Sequence, residues 1–334
     1  MSRVGALLML ALCLAGPARA EVLHWDMPTE YPHDSMPGAG VERFAAEVTE
    51  RSHGAIMVKP SYDAALGFKG IALLRAVEAG QLTLGDSFAG PLGEMAPIFL
   101  LSSLPFVATS FADAQRLYRV AMPAYQTAFA RHHQRLLYAT PWPPTGLWAK
   151  HPVLTPADLA GLSLRAYDET SRQVMAASGA MAAYLSFADA MPRLKDGSLQ
   201  GVLSSGDGGA GRKLWDYLPS FTAINYAVPL SLASINDEAY QALPPKLKQA
   251  VEAAGRATET AQWQLIRARL EANYATMRAN HVEIAAAPGP ALKALLAKSA
   301  EEAIGAWKTQ VGPDGAAVLA AYRVRHQGKP SGQS

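Results

Sequence analysis

Apolar positions in the first third of the chain switch between strand-like and helical spacing. The pattern predicts strands over residues 21–26, 55–61 and 82–88. Between them, apolar side chains recur at helical spacing over 41–48 and 71–77. Strands that alternate with helices are typical of a parallel sheet covered by helices, so this part of the chain predicts an α/β fold.

A second unit of the same kind follows a proline-rich loop at 140–146, which predicts a stiff crossing segment. A helix around 117–120 and a strand at 136–139 precede this loop. The elements predicted after it are strands at 162–165, 183–185 and 201–203 and helices at 170–177 and 187–195. The sequence therefore predicts two α/β lobes.

Residues 244–277 keep a helical period over an unusual length. A helix of that size is about 50 Å long, more than the width of one lobe, so we expect it to span both lobes. Shorter helices are predicted at 290–308 and 313–325. The expected organisation is a signal peptide at 1–20, lobe I at 21–146 and 230–256, lobe II at 147–229 and 278–326, the spanning helix at 244–277 and a disordered tail at 327–334.

The first twenty residues have the pattern of a secretory signal peptide. Arg3 precedes the apolar stretch 7–16, and Ala18-Arg19-Ala20 matches a cleavage site. We therefore predict export to the periplasm and cleavage after Ala20. The cleaved segment would include Cys13, the only cysteine of the chain, so no disulfide is expected.

The charge balance points to a small ligand. The formal net charge of +2 comes from two arginines of the predicted signal peptide, which has no acidic residue. Basic blocks and cationic amphipathic stretches are absent from the remaining sequence, so nucleic acid and membrane surfaces are not expected partners. We expect a monomer.

Arg165 is the leading candidate for ligand binding. It ends the predicted strand 162–165, and open α/β sheets place their ligands at the carboxyl ends of strands. A guanidinium group is a planar donor fork that matches a carboxylate. The alternative is an ordinary surface arginine at the end of a strand.

Further candidates are aromatic. They lie just after strands or in crossover loops, where the two lobes would face each other, and they are Tyr31, Phe88, Trp142, Trp148, Tyr167 and Phe187. Such rings would enclose the apolar part of a ligand. The alternative is ordinary core packing.

The segment Gly206–Gly211 matches the glycine pattern of dinucleotide-binding loops. It lies late in the chain, and the acidic residue expected about twenty positions later is absent, so we favour a loop whose backbone approaches another element closely. Ser204, Ser205 and Asp207 are candidates to present polar groups to the ligand.

The sequence does not favour catalysis or metal binding. Its histidines lack the spacing of a metal site, and neither a nucleophile elbow nor an acid–base pair is evident. Asp26, Glu30 and Asp34 cluster in the first loop, where they are equally consistent with a solvated rim. We predict no cofactor, no metal and no enzymatic activity.

Several segments, in order and spacing, resemble the solute receptors of TRAP transporters, which include C4-dicarboxylate and sialic acid binding proteins. The matching segments are 44–54, 76–80, Leu104-Pro105-Phe106, 156–165, 194–197 and 242–250. The resemblance implies two α/β lobes joined by crossing strands and by a long helix. It also implies that Arg165 binds the ligand carboxylate and that Phe187 packs on the ligand.

Two positions differ from that pattern. Trp148 stands where sialic acid receptors carry a second arginine, and Ser204 stands where the family commonly has asparagine. These differences favour a monocarboxylate with an apolar or aromatic portion, enclosed by Phe88, Trp148 and Phe187.

The sequence thus predicts a periplasmic receptor that delivers an organic acid to the membrane subunits of a TRAP transporter. Three alternatives stay open at this point. They are a receptor for another class of transporter, a partner of a sensor kinase, and a periplasmic enzyme on the same fold.

Overall fold

The computed structural model of the protein describes residues 21–327. The predicted signal peptide at 1–20 and the predicted tail beyond Gln327 lie outside the described residues. No helix within 21–327 combines the length and the apolar character needed to cross a membrane.

Each strand and helix that the hydrophobic pattern predicts has a counterpart in the same order, and further elements lie between them. The strands are β1 (Leu23–Pro28), β2 (Ile56–Ser61), β3 (Leu84–Phe88), β4 (Gln134–Pro141), β5 (Thr145–Ala149), β6 (Ser163–Ala166), β7 (Met181–Tyr184), β8 (Gly201–Ser205), β9 (Ser220–Thr222), β10 (Leu230–Asn236) and β11 (Glu283–Ala285). The helices are α1 (Met36–Arg51), α2 (Ile71–Glu78), α3 (Ala89–Leu92), α4 (Phe111–Arg131), α5 (Pro156–Leu159), α6 (Glu169–Ala177), α7 (Phe187–Lys195), α8 (Gly206–Ala210), α9 (Asp237–Gln241), α10 (Pro245–Ala279) and α11 (Pro290–Gln327). Short 3-10 segments occur at Pro97–Ser103 and Leu214–Asp216.

The first lobe holds strands β1 to β4 together with β10. Strands β1 and β2 are parallel, and an isolated parallel bridge from Thr29 to Asp86 links β1 to β3. The expected parallel sheet is wrong for the rest of this lobe, because β10 lies between β3 and β4 and is antiparallel to both. The hydrophobic pattern did not predict β10, which returns to this sheet after the chain has passed through the second one.

The second lobe has a six-stranded sheet in the order β11-β9-β5-β8-β6-β7. Strand β6 pairs in parallel with β7 and β8, as the α/β pattern predicts. Strand β5 enters from the first lobe and is antiparallel to β8 and β9.

Two backbone segments cross between the lobes side by side. Thr145 N donates to Ala227 O at 2.9 Å, Tyr226 N donates to Thr145 O at 2.9 Å, and Trp142 N donates to Pro229 O at 2.9 Å. The predicted crossing at 140–146 is therefore one of two hydrogen-bonded segments that connect the lobes. The other segment connects β9 to β10.

Helix α10 spans both lobes, as predicted. Its 35 residues correspond to about 52 Å. Near its start, Val251 and Ala254 belong to the core of the first lobe, beside Met27 and Phe44. Near its end, Met277 belongs to the core of the second lobe.

Helix α11 also contacts both lobes, which differs from the expected assignment of 278–326 to lobe II. Leu292 and Leu296 pack in the second lobe. Trp307 and Leu319 instead pack with α4 in the core of the first lobe. The apolar side of α11 thus lies across the junction. The helix is interrupted at Gly312, whose φ of 77° is not helical, consistent with the two helices predicted from the sequence.

Candidate functional site

A cavity of about 620 Å³ lies between the two lobes. Its walls come from both sides of the junction and include Glu30, Tyr31 and Phe88 from the first lobe and Arg165, Tyr167, Leu185, Phe187 and Arg212 from the second. A smaller recess of about 30 Å³ adjoins it and is lined by Trp142, Ser204 and Ser205. The volume is in the range of small-molecule sites.

Arg165 lies at the end of β6 and is only 5% exposed. Its Nε donates to Leu185 O at 2.8 Å and its Nη1 donates to Leu203 O at 3.0 Å. These two carbonyls hold the guanidinium plane in place, and they use only two of its five N–H groups. Burial lowers the pKa of Arg165 to about 10, so the group keeps its charge at neutral pH.

The ring of Phe187 packs against this guanidinium. Phe187 is the first residue of α7, directly after the helix cap at Ser186, whose side chain accepts from Asp189 N. The ring centre lies 4.2 Å from Cζ of Arg165, a cation–π distance. Capping and stacking together fix one charged group and one apolar surface on the same wall of the cavity.

A second arginine, Arg212, also packs against the Phe187 ring. Its Cζ is 4.3 Å from the Phe187 ring centre and 5.4 Å from that of Tyr31. Its Nη2 is 3.5 Å from the backbone oxygen of Glu30. Among the described residues, its buried Nη1 has no hydrogen-bond partner. Burial lowers the pKa of Arg212, and nearby Tyr31 and Glu30 oppose that shift.

The carboxyl group of Glu30 completes the polar part of the cavity wall. Burial raises the pKa of Glu30, and the positive charge of Arg212 counteracts this rise. Arg212 was not among the residues predicted from the sequence, and Glu30 was assigned only to a solvated rim. A signal was present, because Arg212 directly follows the glycine segment for which a close approach was predicted.

Four of the predicted aromatic candidates, from both lobes and the crossing, do come together. The ring centres of Tyr31 and Trp142 are 4.6 Å apart, and those of Phe88 and Tyr167 are 5.4 Å apart, each pair meeting edge to face. Trp142 Nε1 donates to Ser231 Oγ at 3.0 Å. These contacts form an aromatic wall along the cavity and its recess.

Trp148, predicted to enclose the ligand, is not among the residues that line the cavity or its recess. Its ring is fully buried, 5.2 Å from that of Phe221, and its Nε1 donates to Ser205 O at 3.3 Å. A Cβ at Gly209 would lie 2.2 Å from the Trp148 ring. The glycine segment therefore allows α8 to pack on this ring, as the close-approach interpretation predicted.

Asp207, predicted to present a polar group to the ligand, is likewise not among the lining residues. Its carboxylate accepts from Met36 N at 2.8 Å and from Asn273 Nδ2 at 3.1 Å, and it forms an ion pair with Arg269. It thereby joins α1, α8 and α10. Ser205 caps α8 by accepting from Gly208 N at 3.2 Å, and both Ser204 and Ser205 reach the recess.

Comparison with known proteins identifies the family. Residues 28–304 match the model of the bacterial extracellular solute-binding proteins, family 7, also called DctP. The chain belongs to this family. Fold and family are those of solute-binding receptors, and the expected α/β architecture is confirmed.

Solved structures of similar proteins agree with this assignment. DctP7, a Bordetella pertussis extracytoplasmic solute receptor binding pyroglutamic acid, is 29% identical, with a TM-score of 0.87 over 90% of this chain and 100% of that one. A TRAP solute-binding protein from a marine metagenome, specific for pyroglutamate, is 27% identical, with a TM-score of 0.86 over 91% of this chain and 99% of that one. A curated solute-binding protein from Chromohalobacter salexigens is 27% identical over 203 residues, and the match spans 58% of each chain.

Proposed function

We propose that this protein is a periplasmic receptor that binds a small monocarboxylate and delivers it to the membrane subunits of a TRAP transporter. The first candidate ligand is pyroglutamate, which the two similar receptors described above bind. The observation that carries the proposal is the placement of Arg165. It is a buried, charged donor fork, fixed by two backbone carbonyls and facing a cavity between two lobes.

In the proposed complex, the free N–H groups of Arg165 pair with the ligand carboxylate. Such charge-assisted, two-point pairing is stronger than neutral hydrogen bonds and demands a planar acceptor. Phe187 and Phe88 would cover the apolar atoms of the ligand from opposite lobes. Tyr31 and Tyr167 lie beside them and would close the remaining sides.

Lobe closure follows from this arrangement. A ligand that contacts both lobes binds the closed form better than the open form and shifts the population toward it. The paired crossing segments at Thr145 and Ala227 are the natural place for the backbone to bend, while α10 keeps the lobes in register. A membrane partner that recognises the closed form would then receive only loaded receptor.

The test is calorimetric titration of the protein with L-pyroglutamate, other small monocarboxylates and glucuronate. The Arg165→Met variant should bind at least about 10- to 100-fold more weakly, because a buried carboxylate would lose its charged partner. The matched control is Arg172→Met, since Arg172 is a surface arginine of the same lobe that pairs with Glu169. It should leave affinity unchanged.

Arg165→Lys provides a second variant if the methionine variant folds poorly. Lysine keeps the charge but not the two-point fork, so binding should fall without being abolished. The proposal is wrong if the ligand binds Arg165→Met as tightly as the unaltered protein, or if no carboxylate binds at all. Uptake by cells carrying the TRAP membrane subunits, with and without the receptor, tests delivery.

A further inference from the structure

Glu30 and Arg212 place an acceptor and a donor on one side of the cavity. Both line it, and they come from different lobes. The charges of the two side chains interact. The hydrogen-bond contact between the residues, however, runs from Arg212 Nη2 to the backbone oxygen of Glu30 at 3.5 Å. A buried Nη1 of Arg212 stays without a partner among the described residues.

We propose that Glu30 and Arg212 form a subsite for a cis amide, with Arg212 donating to the amide carbonyl and Glu30 accepting from the amide N–H. This inference rests on the proposed function, because it assumes that Arg165 binds the carboxylate of the same ligand. A lactam ring presents its N–H and its carbonyl side by side, so it offers one acceptor and one donor to the pair. The ligand class is therefore a carboxylated lactam rather than any monocarboxylate.

The positions of the two arginines fit a ligand of that size. Both guanidinium carbons lie within 4.3 Å of the centre of the Phe187 ring, and Arg165, Arg212 and Glu30 line the same cavity, so the proposal requires only that one small ligand contacts all three. A buried N–H without a partner is costly, and a ligand carbonyl removes that cost. Sites that hydrogen-bond a substrate group in this way discriminate strongly against analogues that lack it.

Three acids of similar shape separate the contributions. L-Pyroglutamate carries the N–H and the carbonyl, the corresponding lactone carries only the carbonyl, and cyclopentanecarboxylate carries neither. The unaltered protein should prefer the lactam over the lactone by about 10- to 100-fold, the effect of one hydrogen bond to a charged group. It should bind cyclopentanecarboxylate most weakly.

Substitutions then assign each contact. Glu30→Leu should reduce the preference for lactam over lactone to less than about 3-fold, and Glu30→Gln, which keeps an acceptor, should give an intermediate value. Arg212→Met should weaken the binding of the lactam and of the lactone alike, and it should change the binding of cyclopentanecarboxylate little. Glu50→Leu, at an exposed position of α1, is the matched control and should leave the preference intact.

Equal affinity of the unaltered protein for lactam and lactone would overturn the subsite. So would an unchanged preference in Glu30→Leu and Glu30→Gln. In either case, if both acids still depend on Arg165, the proposed function stands and only the subsite fails. Binding of these acids that is insensitive to Arg165 would instead refute the proposed function.

Discussion

Replacing Gly209 with alanine tests why the chain carries a glycine-rich segment at this point. Gly209 lies in α8, directly against the ring of Trp148. A Cβ added there would be 2.2 Å from the ring carbon Cζ2, whereas ordinary carbon contacts begin near 3.4 Å. Either the helix or the ring must therefore move by about 1 Å.

Neither partner moves easily. Trp148 is fully buried, it packs against Phe221, and its Nε1 donates to Ser205 O. Helix α8 is anchored through Asp207, which accepts from Met36 N at 2.8 Å. Forcing a methyl group into such packing costs about 1–3 kcal/mol, so we expect Gly209→Ala to lower the free energy of unfolding by that amount.

Gly305→Ala is the matched control. Gly305 lies in α11, and a Cβ there meets nothing within 4 Å. Since alanine is favoured over glycine inside helices, this variant should gain roughly 0.5–1 kcal/mol of stability. The same substitution is thus expected to have opposite signs at the two positions.

Urea unfolding followed by circular dichroism measures both effects. Affinity for L-pyroglutamate should also fall in Gly209→Ala, because Arg212 follows α8 by two residues and would shift with it. If Gly209→Ala is as stable as the unaltered protein while Gly305→Ala behaves as expected, the close packing on Trp148 does not explain the glycine segment.

Two further substitutions address buried carboxylates. Asp207→Asn should lower the free energy of unfolding by about 2–4 kcal/mol, because the amide leaves Arg269 and Asn273 without a charged acceptor. Asp237→Asn, in an exposed ion pair, should lower it by less than about 1 kcal/mol in the same urea assay. Equal losses would contradict the role of Asp207. Burial raises the pKa of Asp86 from 3.8 to about 7, so its contribution to stability is present below pH 4 and is lost as the pH rises through 7. The free energy of unfolding of Asp86→Asn, relative to that of the unaltered protein, should therefore increase from pH 5 to pH 8 in the urea assay. A difference that does not change with pH would refute this.

Local patterns in the sequence were enough for much of the fold. The helical period of 244–277 predicted α10 within two residues at either end, and the alternation of strands and helices predicted β6 through β8 in order. Phe187 begins α7 as predicted, because Ser186 and Asp189 form a capping signal that is readable within four residues. These features depend on neighbours in the chain.

The orientation of Trp148 was not readable in this way. All five residues of β5 are buried, so the strand has no polar alternation to show which side chains face the cavity. The ring packs on α8 and Phe221 because those elements arrive from later in the chain. Strand β10 was missed for a related reason, since it is buried along its whole length and its partners lie far away in sequence.

Residue patterns along the chain were sufficient to predict two α/β lobes, a spanning helix and an arginine near the end of β6. The surroundings of that arginine depend instead on how distant parts of the chain pack together. Glu30 and Arg212 are 182 residues apart and meet because the chain crosses twice between the lobes. A cavity between lobes is built from such distant pairs, and local periodicity carries no information about which of them will face each other.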